Sequence, residues 1–169
     1  MTTSTTTTKQ PDTGVNEARA QLETIHVWHQ AFQFCDEEGS KTMSADESIE
    51  CLPSDVQSFL KDEMDWENDP DHDNVKDAIR NVVLEDALEV KVKTDWHALG
   101  EEPELGEYMI LLCTGGPAVR IVGELEHDAP MSAKLQSQSW FTPWTDYDLS
   151  TEDTAALLWY AEQFYWEQA

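Results

Sequence analysis

The chain has 169 residues and sets 35 carboxylates against 10 Lys and Arg, a formal charge of −25. A polyanion of this density repels nucleic acid and anionic membranes, which disfavours direct binding to either and favours basic partners. Forty per cent of the residues are apolar and seven are Trp, which argues against wholesale disorder, and the length fits one domain.

Residues 1–14 are Thr-rich, carry Pro11 and Gly14, and read as a disordered tail. From Glu17 to Phe34, the residues Leu22, Ile25, Trp28, His29 and Phe32 recur at steps of three and four and predict an amphipathic helix. Ser44 with Glu47, and Ser54 with Gln57, read as capping boxes opening two short helices, the second carrying Val56, Phe59, Leu60 and Met64. Val75, Ile79, Val82 and Val83 predict a further helix ending near Asp86. The period then changes. Leu88, Val90 and Val92 alternate with Glu89, Lys91 and Lys93, the pattern of a half-buried strand. Tyr108 to Thr114 suits a central strand, Gly115-Gly116-Pro117 a turn, and Ala118 to Leu125 its hairpin partner. Lys134 to Phe141 supplies a fourth strand, and Ser150 with Asp153 opens a last helix running through Trp166. The expectation is an α+β fold with a helical N-terminal half and a four-stranded, mainly antiparallel sheet covered by the C-terminal helix. Its regions are the tail (1–14), an acidic helical part (15–86), and the sheet with the last helix (87–169), the latter two forming one domain.

Charge does not follow this map evenly. Residues 36–73 hold 14 acids and two lysines, a net of −12, whereas 74–99 and 108–144 each sum to −1. Cys35, Cys51 and Cys113 are an odd number without CxxC spacing, which predicts reduced, mostly buried thiols. The start Met1 to Thr8 has no apolar core of a signal peptide, and no apolar run has membrane-spanning length, so the expected location is cytoplasmic.

The run Ile110-Leu-Leu-Cys-Thr-Gly-Gly-Pro-Ala-Val-Arg-Ile-Val-Gly-Glu-Leu125, followed by Ser139-Trp-Phe-Thr-Pro-Trp144 and Phe164-Tyr165, resembles a functionally uncharacterised family of small proteins encoded by phages and other mobile elements. The similar region spans roughly residues 75–166. The resemblance implies no reaction. It implies a role in the conflict between a mobile element and its host.

Asp62, Glu63, Asp65, Glu67, Asp69, Asp71 and Asp73 place seven carboxylates in twelve residues. Duplex DNA carries a negative charge per about 1.7 Å of axis, so carboxylates at comparable spacing fit a phosphate-binding groove. Acidic DNA-mimic inhibitors of the anti-restriction and anti-CRISPR kind are similar to this chain in charge and size only. The competing reading is a solvated acidic face or adaptation to high salt, which spreads acid over all surfaces instead of clustering it. Asp69, Asp71, Asp73 and Asp77 match four EF-hand positions, but Asn74 replaces the required Gly and Arg80 the required Glu, which removes the bidentate ligand. His26 and His29 with Cys35 lack the second ligand pair that structural zinc wants, and His29 reads as a hydrogen-bonded core histidine. Cys113 before Thr114-Gly115-Gly116 admits a nucleophile reading, with His97 or His127 as base. The apolar run Met109 to Cys113 reads more simply as a buried strand. Trp140, Phe141, Trp144, Trp159, Tyr160, Phe164, Tyr165 and Trp166 read as core, with Leu157, Leu158, Ala161, Phe164 and Tyr165 too widely spread for one sheet face and so offering a self-association surface.

The expected function is a non-enzymatic binding protein, a phage or mobile-element inhibitor that uses the seven carboxylates to block a basic, nucleic-acid-binding host protein. No cofactor or metal and no catalytic residue is expected. The alternatives are a small Cys113-dependent hydrolase and an acidic accessory or halophilic protein.

Overall fold

The computed structural model describes residues 13–36, 49, 52–64, 72–94, 96–101 and 105–166. Helix α1 (Thr13–Asp36) begins four residues ahead of the periodic stretch and buries Ala18, Leu22, Ile25, Trp28, Ala31, Phe34 and Cys35 along one stripe. His29 and Phe32 lie at the margin of that stripe, half-buried. The helix expected from Ser44 lies outside the described residues.

Helix α2 (Ser54–Ser58) continues into a π-helical turn, Phe59–Glu63. The capping box expected from Ser54 and Gln57 does not form: Pro53 is the N-cap, without a side-chain cap. Gln57 instead donates from Nε2 to the Leu52 carbonyl at 2.8 Å. Proline pre-sets the extended backbone that precedes the first helical residue, which moves the start by one position. Val56, Phe59 and Leu60 are buried as the pattern predicts. Helix α3 (His72–Asp86) buries Val75, Ile79 and Val83 and ends at Asp86 as expected.

Among the described residues the sheet has six strands: β1 (Glu89–Thr94), β2 (Leu105–Cys113), β3 (Ala118–Glu126), β4 (Ala129–Pro130), β5 (Lys134–Gln138) and β6 (Thr145–Asp146). All pairings are antiparallel, in the order β1-β2-β3-β5-β6, with β4 pairing β3 beyond β5. The four expected strands are present, and the two additional ones are two residues each, too short to leave a periodic signal. The fourth stops at Gln138, and Ser139 to Thr142 turn back instead of extending to Phe141.

Alternation along β2 and β3 sends Tyr108, Ile110, Leu112, Val119, Ile121 and Leu125 to one face. Helix α1 lies on that face over β3 and β5 and packs in turn against α3 and the C-terminal helix α4 (Thr151–Glu162). One core therefore joins residues from α1, the sheet and α4. Helix α4 opens on the expected capping box, with the Ser150 hydroxyl accepting from Asp153 N and Asp153 accepting from Ser150 N. It ends at Glu162 rather than running through Trp166. Trp166 turns back and donates from Nε1 to the Ala161 carbonyl at 3.0 Å. Ala156, Leu157, Trp159, Tyr160 and Ala161 are buried within this same chain. The apolar residues spread around the last helix are thus largely consumed by α1 on one side and the sheet on the other.

Strand β1 departs from expectation. All six of its residues are exposed, so it is not half-buried. Alternation reports which residues share a face; it carries no information on whether a helix reaches far enough to cover that face.

Candidate functional site

Of the seven carboxylates proposed for partner binding, Asp62 and Glu63 stand exposed on the π-helical turn after α2. The buried Phe59 and Leu60 of the same turn anchor them from beneath. Asp73 is exposed in the first turn of α3, and Asp65, Glu67, Asp69 and Asp71 lie outside the described residues. Asp73 is not a free charge: its Oδ1 meets Lys76 Nζ at 3.3 Å, and the same ammonium holds Asp36 Oδ1 at 3.1 Å. Donating hydrogen bonds to both carboxylates raises the Lys76 pKa above its ordinary value, the bond to Asp36 contributing most and outweighing a smaller effect of desolvation. Asp77, the fourth EF-hand position, is engaged by Arg80 at 2.8 Å on the same helix. Among the described residues, no group of three or more His, Cys, Asp or Glu is placed to hold a metal ion.

The Cys113 geometry does not assemble the parts a nucleophile needs. An irregularity in the β2–β3 register between Leu111 and Cys113 brings the thiol level with Val119, close to Glu17 of α1. Burial, with the Glu17 carboxylate beside it, pushes the thiol above its ordinary value, the opposite of activation. His127 lies at the far end of β3, eight residues beyond Val119, or about 26 Å along a strand. His97 follows β1, whose last residue pairs with Leu105, also at the end of β2 opposite to Cys113. Gly115, at φ +104°, serves the turn. Cys35 is fully buried, with burial pushing its thiol up to about 12.

His26 and His29 are used structurally, and by different partners. His26 Nε2 meets Asp153 Oδ1 at 2.7 Å, tying α1 to the cap of α4 across 127 residues of sequence. Asp153 is held below the ordinary carboxylate range: burial opposes ionisation, but hydrogen bonds from His26 and from Ser150 N and Oγ together outweigh it. His29 stacks on Trp159 at 5.0 Å between ring centroids, the face-on packing of a half-buried ring rather than the hydrogen-bonded core histidine expected. Burial first, and the neighbouring His26 second, lower its pKa from 6.5. A histidine whose folded pKa lies below its unfolded value contributes stability that is complete above the unfolded value and is lost as pH falls toward the folded one. Asp153 acts in the same direction but at lower pH, beneath its ordinary 3.8. Denaturation between about pH 7.5 and 5.5 should therefore show stability falling with acidification, with a shallower fall in His29→Phe. An unchanged slope in that variant would rule out His29 as the source.

The Ser139 to Trp144 segment carries two exposed aromatics, Trp140 and Phe141. Thr142 N donates to the Ser139 carbonyl at 3.1 Å, closing a turn in which Phe141 has φ +62° and is fully exposed. Positive φ at a bulky residue is unfavourable, and His127 and Asp128 between β3 and β4 share it at +51° and +59°. Trp140 lies against Gly116 of the β2–β3 turn, and Arg120 stacks its guanidinium 4.1 Å from the Trp144 ring centroid on the outer face of the sheet. The aromatic cluster therefore divides, with Trp159, Tyr160 and Trp166 in the core and Trp140, Phe141 and Tyr165 exposed.

Sequence reasoning missed the His26–Asp153 pair and the Tyr160–Asp86 hydrogen bond, since neither partner is near the other in the chain. No family model matches the chain, and no curated protein or solved structure matches it either. Among the described residues, no helix is long and apolar enough to cross a membrane.

Proposed function

We propose that the chain is a non-enzymatic acidic binding protein, the inhibitor of a phage or mobile element, which occupies the nucleic-acid groove of a basic host protein in the manner of anti-restriction and anti-CRISPR mimics. The observation that carries this reading is the clustering of charge: residues 36–73 hold −12, while the segments supplying most of the sheet are nearly neutral. Asp62 and Glu63 support it by their placement, exposed on a short helical turn whose apolar side is fixed in the core. A turn already fixed in the core needs no further backbone ordering on binding, and its carboxylates displace phosphate from a basic groove by the same electrostatics that hold nucleic acid there.

Capture from host lysate followed by competition with duplex DNA or RNA is the direct measurement. The complex should yield to nucleic acid and weaken as salt rises. Converting Asp62, Glu63, Asp65 and Glu67 to Asn or Gln should lower affinity about a hundredfold with the fold intact, since charge at the contact dominates such binding. The same change at Glu101, Glu102, Glu104 and Glu107 removes equal charge from elsewhere and should matter far less. Equal losses from the two sets would show that total charge, and not a shaped surface, governs binding. A salt-insensitive complex would overturn the proposal.

A further inference from the structure

Among the described residues, strand β1 ends the sheet, with β2 on one side and no strand on the other. Its cross-strand partners show which way its side chains point: Val90 faces Ile110 and Val92 faces Tyr108, and both partners are buried. Val90 and Val92 therefore belong to the core face of the sheet. Yet they are 41% and 48% exposed, and Leu88 just before them is 59% exposed, because α1 packs farther along, over β3 and β5. The result is a six-residue edge strand with outward backbone hydrogen-bonding groups and a bare apolar row.

Charge selects the occupant. On the other face of β1, Glu89 and Lys91 pair at 2.8 Å, and Lys93 pairs with Glu107 at 2.8 Å. A chain carrying −25 repels its own copies nearly everywhere, but residues 74–99 sum to −1 and β1 itself holds one acid and two lysines. We infer that two copies of this chain pair edge to edge through antiparallel β1 strands, about a two-fold axis at Val90. This register sets Val90 against itself, Leu88 against the second copy's Val92, and Glu89 against the second copy's Lys91. Apolar then meets apolar on the core face, and opposite charges meet on the outer face at both symmetric positions. Centring the axis on Lys91 instead would oppose that lysine to its own copy, and a one-residue slip would turn the apolar row to the wrong face. A basic peptide added to the same edge would meet the two lysines, so a second copy is the better fit.

Sedimentation equilibrium of the full chain tests this. Salt screens the repulsion between two polyanions, so the dimer should tighten as salt rises, opposite in sign to the acidic-block complex, and the two proposals fail separately. Glu89→Lys and Lys91→Glu, at exposed positions, should each weaken association about tenfold by opposing like charges twice across the axis. An equimolar mixture of the two variants should associate as strongly as the parent chain, since the mixed dimer restores opposite charges at both positions. A parent chain that stays monomeric up to about millimolar concentration, where even weak association is populated, would overturn the inference. So would single variants that associate like the parent, or a mixture no stronger than its components.

Discussion

Replacing Gly123 by alanine is expected to cost about 3 kcal/mol or more, near the limit of what a small domain tolerates. Gly123 on β3 pairs with Tyr108 on β2, and a Cβ there would overlap both the Tyr108 ring and the Ser132 carbonyl oxygen. Neither neighbour yields easily. The Tyr108 hydroxyl donates to that same carbonyl at 2.8 Å, and its ring packs against Trp166 at 4.9 Å. The Tyr108 side chain thus lies across the glycine and covers backbone that would otherwise be bare. Gly116→Ala is the control, because a Cβ there meets nothing nearer than 3.7 Å and the position has no left-handed φ. Its effect should stay within about 0.5 kcal/mol. Urea denaturation compares the two, and equal stabilities would mean that the β2–β3 register is not the one described.

Tyr160 yields the second large effect. The side chain is fully buried on α4, near the Trp28 and Phe164 rings, and donates its hydroxyl to Asp86 Oδ2 at 2.8 Å at the end of α3. Tyr160→Ala should cost about 4 kcal/mol, as the truncation of a buried aromatic ring. Tyr160→Phe keeps the ring and should cost about 1–3 kcal/mol, the penalty of leaving a half-buried carboxylate without its donor. The two effects separate by pH. Burial raises the Asp86 pKa while the Tyr160 hydroxyl lowers it, so loss of the hydroxyl raises it further. An acid with a raised folded pKa binds more protons in the folded state, and its stability contribution declines as pH rises. The deficit of Tyr160→Phe should therefore shrink on acidification toward Asp86 protonation. A pH-independent deficit would locate the cost in packing alone.

These two sites differ in how far they can be read from the chain. The hairpin around Gly115 was legible because turn glycines and flanking apolar runs act locally, and Ser150 with Asp153 announced the start of α4 for the same reason. Gly123, by contrast, sits inside a strand with no mark that a tyrosine from the neighbouring strand lies across it. The Leu88, Val90 and Val92 alternation placed β1 correctly, yet its exposure depends on where α1 comes to rest, which is a property of packing. Of the proposed site, the carboxylates were visible as composition. That Asp62 and Glu63 share a turn anchored by Phe59 and Leu60 follows from their spacing, whereas the engagement of Asp73 by Lys76 depends on side-chain placement.

That last contact joins the two ends of the acidic stretch. Asp36 opens residues 36–73 and Asp73 closes them, and both lean on the one Lys76 ammonium, at 3.1 and 3.3 Å. The end of α1 and the first turn of α3, which flank the stretch, are thereby clasped together without a covalent bond. Salt then acts at two points, screening a partner's charge directly and loosening the clasp between the two helices.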